Sequence, residues 1–353
     1  MKNAYWDQNL YLNKNDLIKE IKKIASTIKK DVNFMEVCGG HTYSIIKFGI
    51  KEILPKNVNL ISGPGCPVCI TSANDIDSII EIAKSNVPIA TYADMLRVKG
   101  SKYSLEDIKS KGAIIKTIYS TSELIELKKH YPNIVFFAIG FETTIPMTTF
   151  VLQNNIPVFS SHKALLPGLR ALIDEKLNID GFILPGHVCS VIGYKDFKSL
   201  NIYQAVSGFE AEHLLRSIYA LLVLIKNEKK DVVNTYFEVV KKEGNIKAKK
   251  LINKHFILND SNWRGIGVIS NSGYEVMNNK LNAKVIYKDK LKNIQTEKKS
   301  LCRCGEVLKG IISPLKCPLF SKRCTPNNPI GACMVSSEGS CNIYYLFNEQ
   351  RNN

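Results

Sequence analysis

The run LISGPGCPVC at residues 60–69 passes from an apolar, β-branched segment into a turn of two glycines and two prolines, and presents two thiols there, Cys66 and Cys69. A strand-to-helix turn of this kind predicts an open α/β sheet with its chemistry at the strand ends. Gly63 and Gly65 permit close backbone approach, while Pro64 and Pro67 stiffen the turn. Two sulfurs three residues apart can hold a metal, form a disulfide or exchange between those states. At a helix N-terminus, backbone N–H groups and the helix dipole favour the thiolate and promote exchange. Two glycines and two prolines around two cysteines make poor core packing, so simple burial is the weaker account.

The same rhythm extends in both directions. Apolar, β-rich runs at 34–37, 59–62, 88–92 and 114–119 alternate with helical patterns, including one at 73–85 and a Ser104/Asp107 capping box before another. It restarts with IVFFAIG (134–140), PVFSS (157–161), GFILP (181–185) and YQAVSG (203–208), with a helix near 165–177. Strand–helix alternation implies parallel sheets. A faint similarity between LISGPGCPVC and FILPGHVCSV (182–191) suggests a duplicated unit. An amphipathic helix opens the chain at 16–30, and 210–254 reads as helical scaffold.

Composition excludes several classes. A chain of 353 residues buries an adequate core without cross-links, so its ten cysteines need another explanation. The strongest apolar run, 218–225, is far too short to span a membrane and meets Lys226 at once. The N-terminal stretch lacks the apolar core of a secretory signal, so a reducing, cytoplasmic setting is expected, where clustered cysteines point to metal or redox work. The formal charge of +16 is dispersed, and no nucleic-acid-binding motif accompanies it. No nucleic acid or membrane partner is expected; a protein partner with an acidic surface fits the charge.

Other polar motifs also follow strand-like runs. EVCGGHT places Cys38 beside two glycines and His41, a soft donor next to a group able to give a proton, a hydrogen bond or a metal contact. GFETT offers Glu142, Thr143 and Thr144, which read equally well as a capped helix start. PGHVC offers His187 and Cys189. From about residue 300 the chain is rich in Cys, Pro and Gly. Cys317, Cys324, Cys333 and Cys341 are separated by six, eight and seven residues. That spacing suits a [4Fe–4S] cluster better than structural zinc, which favours tighter pairs; disulfides are the third account. Cys302 and Cys304 either replace one of the four ligands or lie beside the cluster as a redox pair.

In this order, EVCGGHT, GPGCPVC, GFETT and PGHV, then CRCGEVLKG and a cysteine-rich tail ending SSEGSC, resemble the HypD family of hydrogenase maturation factors over nearly the whole chain. The resemblance implies a redox-active assembly scaffold, rather than a conventional turnover enzyme, for the Fe(CN)2CO unit of [NiFe]-hydrogenase. It would carry a [4Fe–4S] cluster and transiently hold Fe(II) with CN and CO ligands. Its partners would be HypC and the cyanide donor HypE, with HypF upstream and the hydrogenase large subunit reached indirectly. By motif, Cys38 is the iron-holding thiol, His41 its neighbour, Cys66 and Cys69 the redox pair, Glu142, Thr143 and Thr144 the second-domain cleft motif, and His187 the facing histidine. Cys189 stands where the family pattern has a hydroxyl residue, and takes no family role. The competing class is a [4Fe–4S]-dependent thiol–disulfide oxidoreductase resembling ferredoxin:thioredoxin reductase, which would leave Cys38 and His41 idle.

The expected fold is α/β: two related parallel-sheet domains plus a helical, irregular domain carrying the cluster. The ranges are 1–30, a helical segment packing with the C-terminal domain; 31–121 and 122–236, the two α/β domains; and 237–353, the C-terminal helical and cluster domain.

Overall fold

The computed structural model describes residues 10, 12–292, 294 and 301–352; residues 1–9 and 11 of the expected N-terminal segment lie outside them. The opening helix runs Lys14–Ala25. Asn13 caps it by accepting the Asp16 N–H, and Leu17, Ile21 and Ile24 form its buried stripe.

Among the described residues eleven strands follow: β1 (Val32–Glu36), β2 (Val58–Ser62), β3 (Ile89–Tyr92), β4 (Ile115–Ile118), β5 (Val135–Gly140), β6 (Val158–His162), β7 (Gly181–Pro185), β8 (Tyr203–Ser207), β9 (Val232–Asn234), β10 (Phe256–Trp263) and β11 (Gly267–Val276). One parallel sheet has the order β2-β1-β7-β8-β9 and a second the order β4-β3-β5-β6, while β10 and β11 form an antiparallel hairpin. Helices cover such sheets, so their strands read as continuous apolar runs. All six residues of β5 are buried.

The α/β class and the parallel sheets agree with the sequence reading, but the ranges 31–121 and 122–236 do not coincide with the sheets. Each range divides between them. β1 pairs with β7 through Phe34 and Gly181, and β3 pairs with β5 through Ile89 and Val135. Local pattern marks a strand without naming its partner, and the Ala73–Lys84 helix carries the chain from the first sheet into the second before β7 returns. The similar runs at 60–69 and 182–191 end strands β2 and β7, which flank β1 in one sheet. They are therefore not equivalent strands of two repeated units.

Two further expectations are corrected. Among the described residues the opening helix packs chiefly on the Ala211–Lys226 helix rather than on the C-terminal region, and Leu17 and Ile21 share a core with Leu214, Ile218 and Leu221. The cause is that Ala211–Lys226 is buried at nearly every position from Leu214 onward and needs cover on more than one side. Residues 237–353 also contain the β10–β11 hairpin. It covers the β6 edge, where the Ala164 N–H just past the strand donates to the Ser272 carbonyl of β11; at the start of β6 the Val158 N–H donates to the carbonyl of Leu281, which follows the hairpin, both at 2.8 Å. Among the described residues no helix is long and apolar enough to cross a membrane.

Leu221 is fully buried where the helix meets Gly181 of β7. Leu221→Ala should lower unfolding stability by about 2–5 kcal/mol in urea denaturation. A loss below about 0.5 kcal/mol would contradict the placement of this helix in the core.

Candidate metal centre

The carboxyl ends of β2, β1, β7 and β8 lie side by side in the first sheet, and each leads into a motif: residues 63–69, 38–42, 186–187 and 208–209. Ligands collect at such edges. A side chain on Gly65 would collide with the backbone of Cys38, and the Gly63 N–H donates to the Glu36 carbonyl at 2.8 Å. Glycine admits that approach because it has no Cβ. Cys66 and Cys69 are joined as a disulfide, and the Cys69 N–H donates to Cys66 Sγ at 3.2 Å. Their short helix, Pro67–Ile70, lies against β5 of the second sheet, so the turn sits between the two sheets.

Cys38 caps the Gly39–Lys47 helix and is half-buried. Burial, then the carboxylates of Glu338 and Glu36, pushes its thiol up to about 12, against a partial pull downward from the N–H groups of Gly40 and His41. Glu36 is buried, accepts the Cys38 N–H at 3.1 Å and bonds the Thr42 hydroxyl; burial pushes it up to about 7. Glu338 comes from the tail, and its backbone would collide with any side chain on Gly39. A thiol between two carboxylates stays protonated until a cation compensates it, and a bound metal ion reverses the local preference.

His41 is fully buried, with Nε2 3.1 Å from the Gly208 carbonyl oxygen. Burial pushes it down to about 4, so the ring is neutral and donates from Nε2. Its Nδ1 has no hydrogen-bond partner among the described residues. Phe209 lies against His41 at 4.8 Å between ring centroids and against the exposed His187 at 4.2 Å. The two predicted histidines therefore meet through an aromatic ring that the motifs did not flag.

Glu142 in the second sheet's motif is buried; its Oε1 accepts the Leu165 N–H at 3.0 Å and the Tyr274 hydroxyl at 3.4 Å, while Oε2 has no partner among the described residues. Burial pushes it up to about 7. Cys189 is buried, and burial and the Glu142 charge raise its thiol. Thr143 is half-buried. Thr144 precedes the Ile145–Gln153 helix without making a side-chain cap; its hydroxyl turns back to the Phe141 and Ile139 carbonyls at 3.2 and 3.3 Å.

The tail brings the four expected thiols into one neighbourhood and adds Cys302 and Cys304 to it. Cys333 Sγ lies 2.6 Å from Cys304 Sγ, with Cys302 beside Cys304 and Cys341 beside Cys333. Cys317, Cys324 and Cys341 border one apolar cluster with Phe320 and Met334. Among the described residues no group of three or more His, Cys, Asp or Glu side chains is arranged to hold a metal ion. Cys333 stands on the Ala332–Val335 helix, which packs against the Cys69-bearing helix. Arg264 lies at the same junction: its backbone N–H donates to the Ile70 carbonyl at 2.9 Å, and its guanidinium donates to the carbonyls of Thr71 at 2.7 Å and Lys99 at 2.9 Å.

Glu36, Phe209, Arg264 and Glu338 were not singled out from sequence. Only Glu36 carried a signal, a carboxylate at the end of an apolar strand two residues ahead of a cysteine; the others depend on long-range packing.

Known proteins resemble the chain over nearly its whole length. The HypD family model, described as "Hydrogenase formation hypA family", matches residues 13–348. The chain is 38% identical over 356 residues to the hydrogenase maturation factor HypD of Escherichia coli strain K12, covering 95% of each protein. It is 37% identical over 345 residues to the HypD of Azotobacter vinelandii, covering 92% of this chain and 91% of that protein. Against HypD2 of Bradyrhizobium diazoefficiens the identity is 35% over 360 residues, covering 95% and 94%. The motif order, the strand-end geometry and this full-length similarity together establish that the chain belongs to the HypD family of hydrogenase maturation factors.

Proposed function

We propose that this maturation factor is the scaffold on which the Fe(CN)2CO unit of [NiFe]-hydrogenase is assembled, in the cytoplasm, with HypC as complex partner, HypE as cyanide donor and HypF upstream. The observation that carries this reading is the surroundings of Cys38: a half-buried thiol, two carboxylates that disfavour its free thiolate, and the Cys66–Cys69 turn packed on its backbone. Low-spin Fe(II) is the cargo. It favours a soft thiolate donor, and its charge compensates the carboxylates. His41, neutral and locked by Gly208 and Phe209, orients the site, while His187 and Thr143 offer hydrogen bonds to small diatomic ligands; the Thr144 hydroxyl, already donating to Phe141 and Ile139, shapes its loop. The Cys66/Cys69 pair exchanges electrons beside the cargo. This account uses Cys38 and His41, which the oxidoreductase alternative leaves without a role.

The tail fits a [4Fe–4S] cluster by the softness of its six thiols. Cys302 also stands beside Cys304 and Cys341 beside Cys333, and the 2.6 Å contact between Cys304 and Cys333 is what favours reading those two as the pair. We therefore assign the cluster to Cys302, Cys317, Cys324 and Cys341, with Cys302 replacing Cys333 from the set expected by spacing, and assign Cys304 and Cys333 as a dithiol pair. When bound, the cluster supplies electrons one at a time.

The main test is infrared spectroscopy of protein purified without oxygen from cells making the other maturation factors. Bands from iron-bound CO and CN⁻ are expected, should disappear in Cys38→Ala, and should leave the cluster absorbance intact. Unchanged bands in Cys38→Ala would move the iron to another residue. For the tail, Cys317→Ser should lose the cluster's visible absorbance and its iron and sulfide, whereas Cys333→Ser should keep them. Loss of the cluster in Cys333→Ser would restore the set read from spacing.

A further inference from the structure

A cavity of about 390 Å³ opens at the junction between the loop following β3 and the tail, lined among others by Arg97, Lys99, Arg264, Cys302, Cys304 and Gly331. Its size suits a small molecule. The Cys302 sulfur lies against Gly331, where a side chain would strike it, and Cys304 forms part of the wall while its own sulfur touches Cys333. Among the described residues lining it there are three cationic side chains and no carboxylate. Arg264 is held by the Thr71 and Lys99 carbonyls, which fix its position without cancelling its charge. Arg97 is anchored by the Pro326 and Asn327 carbonyls at 3.1 and 3.3 Å. Acidic groups stand behind each cation without lining the cavity: Glu106 approaches Arg97 to 3.9 Å between exposed side chains, Asp107 acts on Lys99, and Asp77, which acts on Arg264, accepts from the N–H and hydroxyl of Ser101.

We propose that this cavity is an entry port through which a small, anionic thiol reduces the Cys304–Cys333 pair from solution. The inference rests on the reading of these two cysteines as a redox pair. In the oxidised protein, the incoming thiolate attacks Cys304 Sγ, the Cys304–Cys333 bond breaks, and Cys333 leaves as a thiolate that takes up a proton. A second molecule of the small thiol then displaces Cys304 from the mixed disulfide. The products are one small-molecule disulfide and two protein thiols, so two electrons pass from two small thiols to the pair. The three cations concentrate an anionic reductant at the mouth and repel a cationic one, an effect that salt weakens.

The test uses the full chain, oxidised under mild conditions, with disulfides mapped by differential alkylation and peptide mass spectrometry. Reduction of Cys304–Cys333 is then timed with 2-mercaptoethanesulfonate, 2-mercaptoethanol and cysteamine, each rate normalised to the same thiol acting on a small linear disulfide. The sulfonate should exceed cysteamine by roughly tenfold at low salt, and the ratio should approach one at high salt. Lys99→Glu, a change in an exposed side chain, should reduce the ratio several-fold without altering the circular dichroism. Failure of Cys304 and Cys333 to form a disulfide would overturn both the pair and the port. A mapped disulfide whose reduction is blind to thiol charge, or whose charge preference survives Lys99→Glu, would overturn the port alone.

Discussion

The arrangement depends on one close approach: the backbone of Gly65 lying on the backbone of Cys38. Two adjacent parallel strands, β1 and β2, end there together, and the space between their exits is too small for any Cβ. The hydrogen bond from the Gly63 N–H to the Glu36 carbonyl continues the pairing one step past the strands. Through this contact a lone half-buried cysteine and a C-x-x-C pair become parts of one site. The Pro67–Ile70 helix then carries the same turn against β5, so both sheets meet around it.

Burial of charge organises the surroundings. Glu36 and Glu142, one at the end of each sheet, are both buried and pushed up to about 7, because water is excluded from them and no cation pairs directly with either among the described contacts. Such carboxylates cost stability when ionised and are kept where their charge or proton is used. Glu36 faces Cys38 directly. Glu142 faces Cys189 and retains an unsatisfied oxygen, which gives the second sheet's motif a chemical handle of its own. The imidazoles of His41 and His187 on either side of Phe209 are held towards the neutral form by loss of solvent, so near neutral pH they act as hydrogen-bonding rather than cationic groups.

Much of this was legible in the residues. Gly/Pro turns after apolar runs marked the strand ends, and the Ser104/Asp107 capping box is present as read. Sheet membership was not legible, because β1 reads the same whether it pairs with β3 or with β7. The hairpin at β10 and β11 was missed although Gly265 and Gly267 mark its turn, because its strands are largely exposed and carry Asn, Asp and Ser instead of an apolar run. Cysteine spacing in the tail identified a thiol-rich centre without revealing that Cys333 stands against Cys304, since six thiols in a poorly periodic segment allow many pairings. Arg264 lies far in sequence from every cysteine it approaches, and no local pattern announces it.

The central claim is that the Gly65 contact, rather than the thiols alone, makes the iron-holding site proposed at Cys38. Gly65→Ala tests it most directly, with the infrared bands of iron-bound CO and CN⁻ measured on variant protein that keeps its Cys66–Cys69 disulfide and its cluster absorbance. The account predicts that the added methyl group displaces Cys38 from the turn and that the bands fall to about a tenth of the wild-type intensity or less, as misplacement by an ångström can cost a hundredfold in function. Full-strength, unshifted bands in Gly65→Ala would contradict it.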